Sequence, residues 1–192
     1  MTNPLDDPVR DPASGRPPPN DDAWPRPIRP RGSAAAMYRI GRFVAPNPAY
    51  ERVAAGLEAH PRVDAAFTAV ERKAKDAIFG CRMCGQCALP ATGYACPMTC
   101  PKQLRNGPCG GVSPTGACEV FPDTKCVWVT AYERAEAAGH ADDLLKLQRP
   151  VDHRRWGESS WVNYWQHRDD DLWTDDDGLN EPAGVRGERP VR

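Results

Sequence analysis

The chain has 192 residues, with 25 basic against 26 acidic side chains and a formal net charge of −1. That balance gives no electrostatic case for a nucleic-acid partner. No run approaches the ~18 apolar residues that span a bilayer, so no membrane partner is expected.

In chain order, residues 1–36 come first, with nine prolines among the first 32 positions. A segment of this kind lacks apolar periodicity and cannot offset its ordering entropy, which predicts a disordered leader. It has neither the basic start nor the apolar stretch of a secretory signal. A cytoplasmic location is therefore expected, where structural disulfides are rare. Residues 37–173 are enough for one small folded domain. Tyr38, Ile40 and Phe43 form an apolar patch expected to dock as a short strand or loop. Asn47 and Pro48 read as N-cap and first residue of a helix that ends before Pro61. A second helix follows in "RVDAAFTAVERKAKDAIFG", where Val63, Phe67, Val70, Ala74 and Ile78 share one face, expected to pack into the core. Gly80 is its stop.

Residues 81–126 hold neither a strand nor a helix period; Gly, Pro and Cys dominate. Such a loop-built region needs an external staple. Helix returns in "KCVWVTAYERAEAAG", ending near Gly139, and a short helix in "ADDLLKLQ" stops before Pro150. "WGESSWVNYWQHRDD" predicts a helix capped at Ser159 or Ser160, with Trp161, Tyr164 and Trp165 on one face. That face is expected to pack on the cysteine region; a partner-binding face is the alternative, because Trp and Tyr are enriched at interfaces. From residue 174 the chain turns acidic and then Gly-, Pro- and Arg-rich, which predicts a disordered tail. The fold class expected is mostly α: a small metal-stapled domain with irregular Cys-rich loops between helices and disordered tails.

The eight cysteines are Cys81, Cys84, Cys87, Cys96, Cys100, Cys109, Cys118 and Cys126. Three chemistries use such a set. An even count is compatible with disulfides, but a reducing compartment disfavours them. Zinc commonly takes two Cys-x2-Cys pairs; here the third cysteine at x2 spacing is left over, and no second x2 pair follows. The four histidines lie outside the cysteine block. Iron–sulfur ligation fits better. Three cysteines at x2 intervals wrap three corners of a cubane while a fourth comes from afar, and Cys96-Pro97 and Cys100-Pro101 repeat the Cys-Pro dipeptide that follows ferredoxin ligands. Eight sulfurs allow one or two [4Fe–4S] clusters. Cys81, Cys84 and Cys87 with one distal cysteine make the first set against the rest; which distal cysteine joins them is open. Gly107, Gly110 and Gly111 would let backbone N–H groups approach cluster sulfurs. Arg82, Lys102 and Arg105 are candidates to offset the charge of an anionic cluster, or are simply solvated.

"CRMCGQC…CPMTCPKQLRNGPCGG…GACEV" resembles the cysteine-rich methylenetetrahydrofolate reductase C-terminal domain family, from about Tyr38 to Trp165. Its most specific part is Cys100 to Gly111, and "SSW" at Ser159–Trp161 is similar to the family's C-terminal end. The chain looks like the small iron–sulfur subunit of acetogen-type reductases. The resemblance implies a partner: a flavin-dependent (β/α)8 reductase subunit that carries FMN or FAD and folate, in one-carbon metabolism. A barrel of that kind needs about 250 residues. This sequence shows no glycine-rich phosphate loop and no defensible nucleophile–base pair; Asp152 and His153 merely adjoin. The chain is expected to be non-catalytic alone. The function expected is electron transfer to or from that flavin. The alternative is a zinc- or cluster-stapled docking subunit with no redox role.

Overall fold

The structure, a computed structural model, describes residues 26–174. Most of the expected leader, residues 1–25, and of the expected tail, residues 175–192, lies outside the described residues. The described part is mostly helical. Among these residues there is no sheet, and isolated antiparallel bridges join Ala117 to Lys125 and Gln148 to Trp173. Among them, too, no helix is long and apolar enough to cross a membrane.

Residues 26–33 run without helix along the body. The Arg31 N–H donates to the Ile78 carbonyl at 3.0 Å. Arg26 pairs with Asp123 at 3.3 Å and lies 4.4 Å over the Phe121 ring. Helix α1 (Ala34–Phe43) follows, capped by Ser33, whose Oγ accepts from the Ala36 N–H. The patch expected as a strand or loop is therefore helical. The alanine run at 34–36 is a strong helix former, and Ala34 and Tyr38, four apart, supply the buried face. Tyr38 stacks on His140 and meets Tyr94 edge-on. Ile40 and Phe43 face outward.

Helix α2 (Pro48–Glu58) begins as the sequence predicts. The Asn47 side chain accepts from the Ala49 and Tyr50 N–H groups, and Pro48 takes a position whose missing N–H costs nothing. Replacing Asn47 by Ala should lower stability by about 1 kcal/mol, measured as a shift in the urea midpoint with an unchanged slope.

Helix α3 (Pro61–Phe79) also stops where expected, with Gly80 in the left-handed region at φ 64°. Its inner face differs from the expected one. Val63 and Val70 are 53% and 68% exposed, Ala74 is exposed, and Phe67 and Ile78 are half-buried. The fully buried positions are Glu71, Lys75 and Phe79, four residues apart. The reason is what α3 packs against: a polar turn at Ser159 and Ser160, which offers hydrogen-bond partners to a buried ion pair rather than an apolar surface.

Helix α4 (Val127–Ala137) precedes a 3-10 turn at Ala141–Leu145 and another at His153–Arg155. Helix α5 (Ser160–Trp165) is capped by Ser159, whose Oγ accepts from the Val162 N–H at 3.1 Å. Its aromatic face does not lie on the cysteine region. Trp165 is buried with Ala54 and Val162, stacks on Tyr50 at 4.8 Å, and donates from Nε1 to the Val44 carbonyl. Trp161 lies by Phe67, and Tyr164 is the exposed member. The aromatic residues thus tie α5 to α2 and α3. Two further apolar clusters remain. One gathers Tyr38, Phe79, Leu89, Tyr94 and Met98 around Cys84 and Cys96; the other gathers Ala95, Val127, Trp128 and Ala131 around Cys100 and Cys126.

Candidate metal centres

The loop leaving α3 turns sharply. Met83 and Gly85 both take positive φ, 50° and 74°, which brings Cys81, Cys84 and Cys87 around a common space. The turn at Leu89–Ala91 and the buried run 91–100 return the chain so that Cys96 closes the ring. These four cysteines line one cavity, with Met83, Met98 and Ser160. A 3-10 turn at Pro97–Thr99, held by the Thr99 hydroxyl donating to the Cys96 carbonyl at 2.9 Å, leads directly to Cys100. Cys100, Cys109, Cys118 and Cys126 line a second cavity, with Pro27, Val112 and Trp128. A small hairpin sets the last two: the Cys118 N–H donates to the Thr124 carbonyl and the Cys126 N–H to the Gly116 carbonyl, both at 2.9 Å.

The cysteines therefore sort four and four, and all eight are free thiols. The distal member of the first set, open from the sequence, is Cys96. Four thiols per cavity is the donor set of a tetrahedral zinc site and of a cubane cluster alike. Among the described residues, however, no group of three or more His, Cys, Asp or Glu side chains has the arrangement that holds a metal ion.

Burial pushes the Cys81 thiol up to about 12, with Cys87 adding repulsion. Burial likewise raises Cys87, and raises Cys96 well above the ordinary thiol value. Burial thus favours the thiol form at Cys81, Cys87 and Cys96, and a metal centre bound by them must displace protons.

The C-terminal segment clamps the first ring from outside. Asn163 Nδ2 donates to the Gly85 carbonyl at 3.0 Å, the Gly157 N–H to the Met83 carbonyl at 2.7 Å, and the Asp152 N–H to Gln86 Oε1 at 2.7 Å. Gly85 is held so closely that a Cβ there would sit 2.2 Å from the Arg155 carbonyl oxygen. Gly85→Ala should cost about 1–3 kcal/mol from its positive φ alone, with the clash added. A thermal melt and metal content measured together check this: both should fall.

The residues expected to compensate cluster charge fall in different places. Arg105 is buried, and it reaches the first ring rather than the second, its neighbour in sequence. Its guanidinium donates to Cys84 Sγ at 3.4 Å, to the Gln86 carbonyl at 3.0 Å and to Gln148 Oε1 at 2.8 Å. Lys102 lines the second cavity and is paired with Glu119. Arg82 is half-buried and lines neither cavity. Of the glycines beside Cys109, Gly107 needs its freedom, at φ 122°, and Gly111 is pressed against Glu119, not a sulfur. Asp152 is held low by hydrogen bonds from Arg154, while His153 stacks on Trp156, so that pair forms no catalytic unit.

Residues 60–154 match a protein family described as methylene-tetrahydrofolate reductase C terminal. This segment belongs to that family. No curated protein and no solved structure matches the chain. The family segment holds α3, both cysteine rings, α4 and the Gln148–Asp152 stretch that touches the first ring. The "SSW" turn at Ser159–Trp161 lies just beyond it.

That turn reveals the residues the sequence reading missed. Glu71 Oε1 is 2.5 Å from Lys75 Nζ, and Glu71 also accepts from Ser159, Ser160 and the Trp161 N–H. Lys75 donates to Ser160 Oγ at 2.7 Å and lies 4.5 Å over the Trp161 ring. Ser160 itself lines the first cavity. A Glu–Lys pair four apart ordinarily reads as a solvated helix face. The one available signal was "SSW", hydroxyls followed by an indole, which pairs naturally with a buried carboxylate and ammonium.

Proposed function

We propose that this chain is an iron–sulfur accessory subunit of a methylenetetrahydrofolate reductase-type oxidoreductase. It binds one [4Fe–4S] cluster in each ring and passes electrons to or from a flavin-bearing barrel partner in folate one-carbon metabolism. The observation that supports this reading most is the four-and-four sorting of the cysteines around two cavities, four thiols to each, as a cubane cluster requires. Cys81, Cys84, Cys87 and Cys96 would hold one cluster; Cys100, Cys109, Cys118 and Cys126 would hold the other. Each cluster, when bound, takes up and gives back single electrons at a potential set by its surroundings.

The chain's own residues do the rest. Leu89, Met98 and Phe79 on one side, and Val127 and Trp128 on the other, exclude water from the thiols. Arg105 directs a guanidinium at Cys84. Cys96 and Cys100 are four residues apart, so their Cα atoms lie within ~14 Å even at full extension. The two rings are therefore neighbours, as a relay needs. The flavin and the folate belong to the partner, where hydride moves between methylene and methyl folate.

The test is to purify the full chain anaerobically with whatever flavoprotein accompanies it, reduce it with dithionite, and follow the flavin absorbance. Reduction of the flavin through the chain, with iron and sulfide present in equal amounts, supports the reading. Redox-silent zinc in both rings overturns it in favour of a stapled docking subunit.

A further inference from the structure

The two rings differ in the charges built around them. The first has two buried cations against it: Arg105, on Cys84 Sγ, and Lys75, joined through Ser160 to the cavity wall. One buried carboxylate, Glu71, stands behind Lys75. The second ring has Lys102, whose partner Glu119 cancels it, and both side chains are about a third exposed. Water and salt weaken that second pair, while the buried charges act through a poorly screening interior.

Resting on the iron–sulfur reading above, we propose that Lys75 is a positioning charge that makes the centre in the first ring the more easily reduced of the two. Glu71 and Ser160 hold the ammonium, and Trp161 covers it. The balance of buried charge favours this role. Two buried cations, Arg105 and Lys75, stand against the one buried carboxylate of Glu71, and Lys75 is a single hydrogen bond from Ser160 on the cavity wall. Removing Lys75 removes that excess of positive charge, and neutralising Glu71 increases it. Reduction adds one electron, drawn from the reductant used, and no proton: Lys75 remains charged throughout. An added negative charge is stabilised most where a fixed, desolvated cation stands by.

The experiment is an anaerobic potentiometric titration of the full chain with dithionite, read by electron paramagnetic resonance. Two waves are expected, and Cys96→Ala identifies the first-ring wave by abolishing it. Lys75→Met should move that wave to lower potential, Glu71→Gln should move it to higher potential, and Lys75→Arg should restore it. The other wave should stay in place in all three. A purely structural role would shift both single variants the same way, or disturb both waves. If Lys75→Met fails to fold, Glu71→Gln, which keeps the hydrogen bonds to Ser159 and Ser160, still gives the sign. Two waves with no opposite shifts overturn this inference and leave the iron–sulfur reading standing; no wave at all overturns both.

Discussion

Replacing Cys96 by serine should remove about half of the bound iron and leave the second ring loaded; replacing Cys126 should do the reverse, and the double variant should bind almost none. This outcome follows from the assignment of each cysteine to one cavity alone. Pairing of the eight across the two spaces predicts something else: loss of one sulfur would then deplete both centres. Iron and sulfide analysis of the three variants against the parent, all purified without oxygen, distinguishes the two patterns. Structural consequences should accompany the chemical ones. Residues 81–126 contain two short 3-10 turns and one small hairpin with an isolated bridge, so little secondary structure is available to hold them. Cys84 and Cys96 sit inside one apolar cluster, and Cys100 and Cys126 inside another. A metal centre there joins segments far apart in sequence, and its binding free energy becomes folding free energy. Stripping metal by chelation should therefore lower the melting temperature and broaden the transition.

The second large effect belongs to Glu71. Its side chain is wholly buried, and it alone balances Lys75 while accepting from Ser159, Ser160 and the Trp161 N–H. Glu71→Ala leaves an uncompensated ammonium in the interior and strips three donors of their acceptor. The expected loss is about 3–5 kcal/mol, one of the largest single-residue penalties the fold offers. Denaturant unfolding measures it. The loss should be insensitive to added salt, because the pair is desolvated. Replacing Glu71 and Lys75 together by methionine should recover much of it, since the cost lies in the unpaired charge and not in the absence of the pair.

What was legible in the sequence was local. Asn47 and Pro48 announce a helix start because cap chemistry involves only the next few N–H groups. Gly80 announces a stop because a left-handed residue there favours glycine. The x2 spacing of Cys81, Cys84 and Cys87 keeps them close enough along the chain to share one site. Long-range packing was not legible. The valines of α3 satisfy helical periodicity, yet Val63 and Val70 face outward because the buried side is claimed by a polar turn some 85 to 90 residues further on. Likewise Arg105 sits among the second set of cysteines in the chain but serves the first, through Gln148 and Gln86. The fourth cysteine of the first ring was open for the same reason: Cys96 and Cys100 are separated by one short 3-10 turn, and the fold sends them to different cavities.

The central claim is that each ring of four thiolates encloses a cluster and not an ion. Native mass spectrometry of the anaerobically prepared full chain addresses this most directly, because intact cofactors are weighed on the folded protein. The account predicts a dominant species carrying two [4Fe–4S] masses, with Cys96→Ser and Cys126→Ser each carrying one. A dominant species carrying one zinc per ring, or a folded chain with neither, would contradict it.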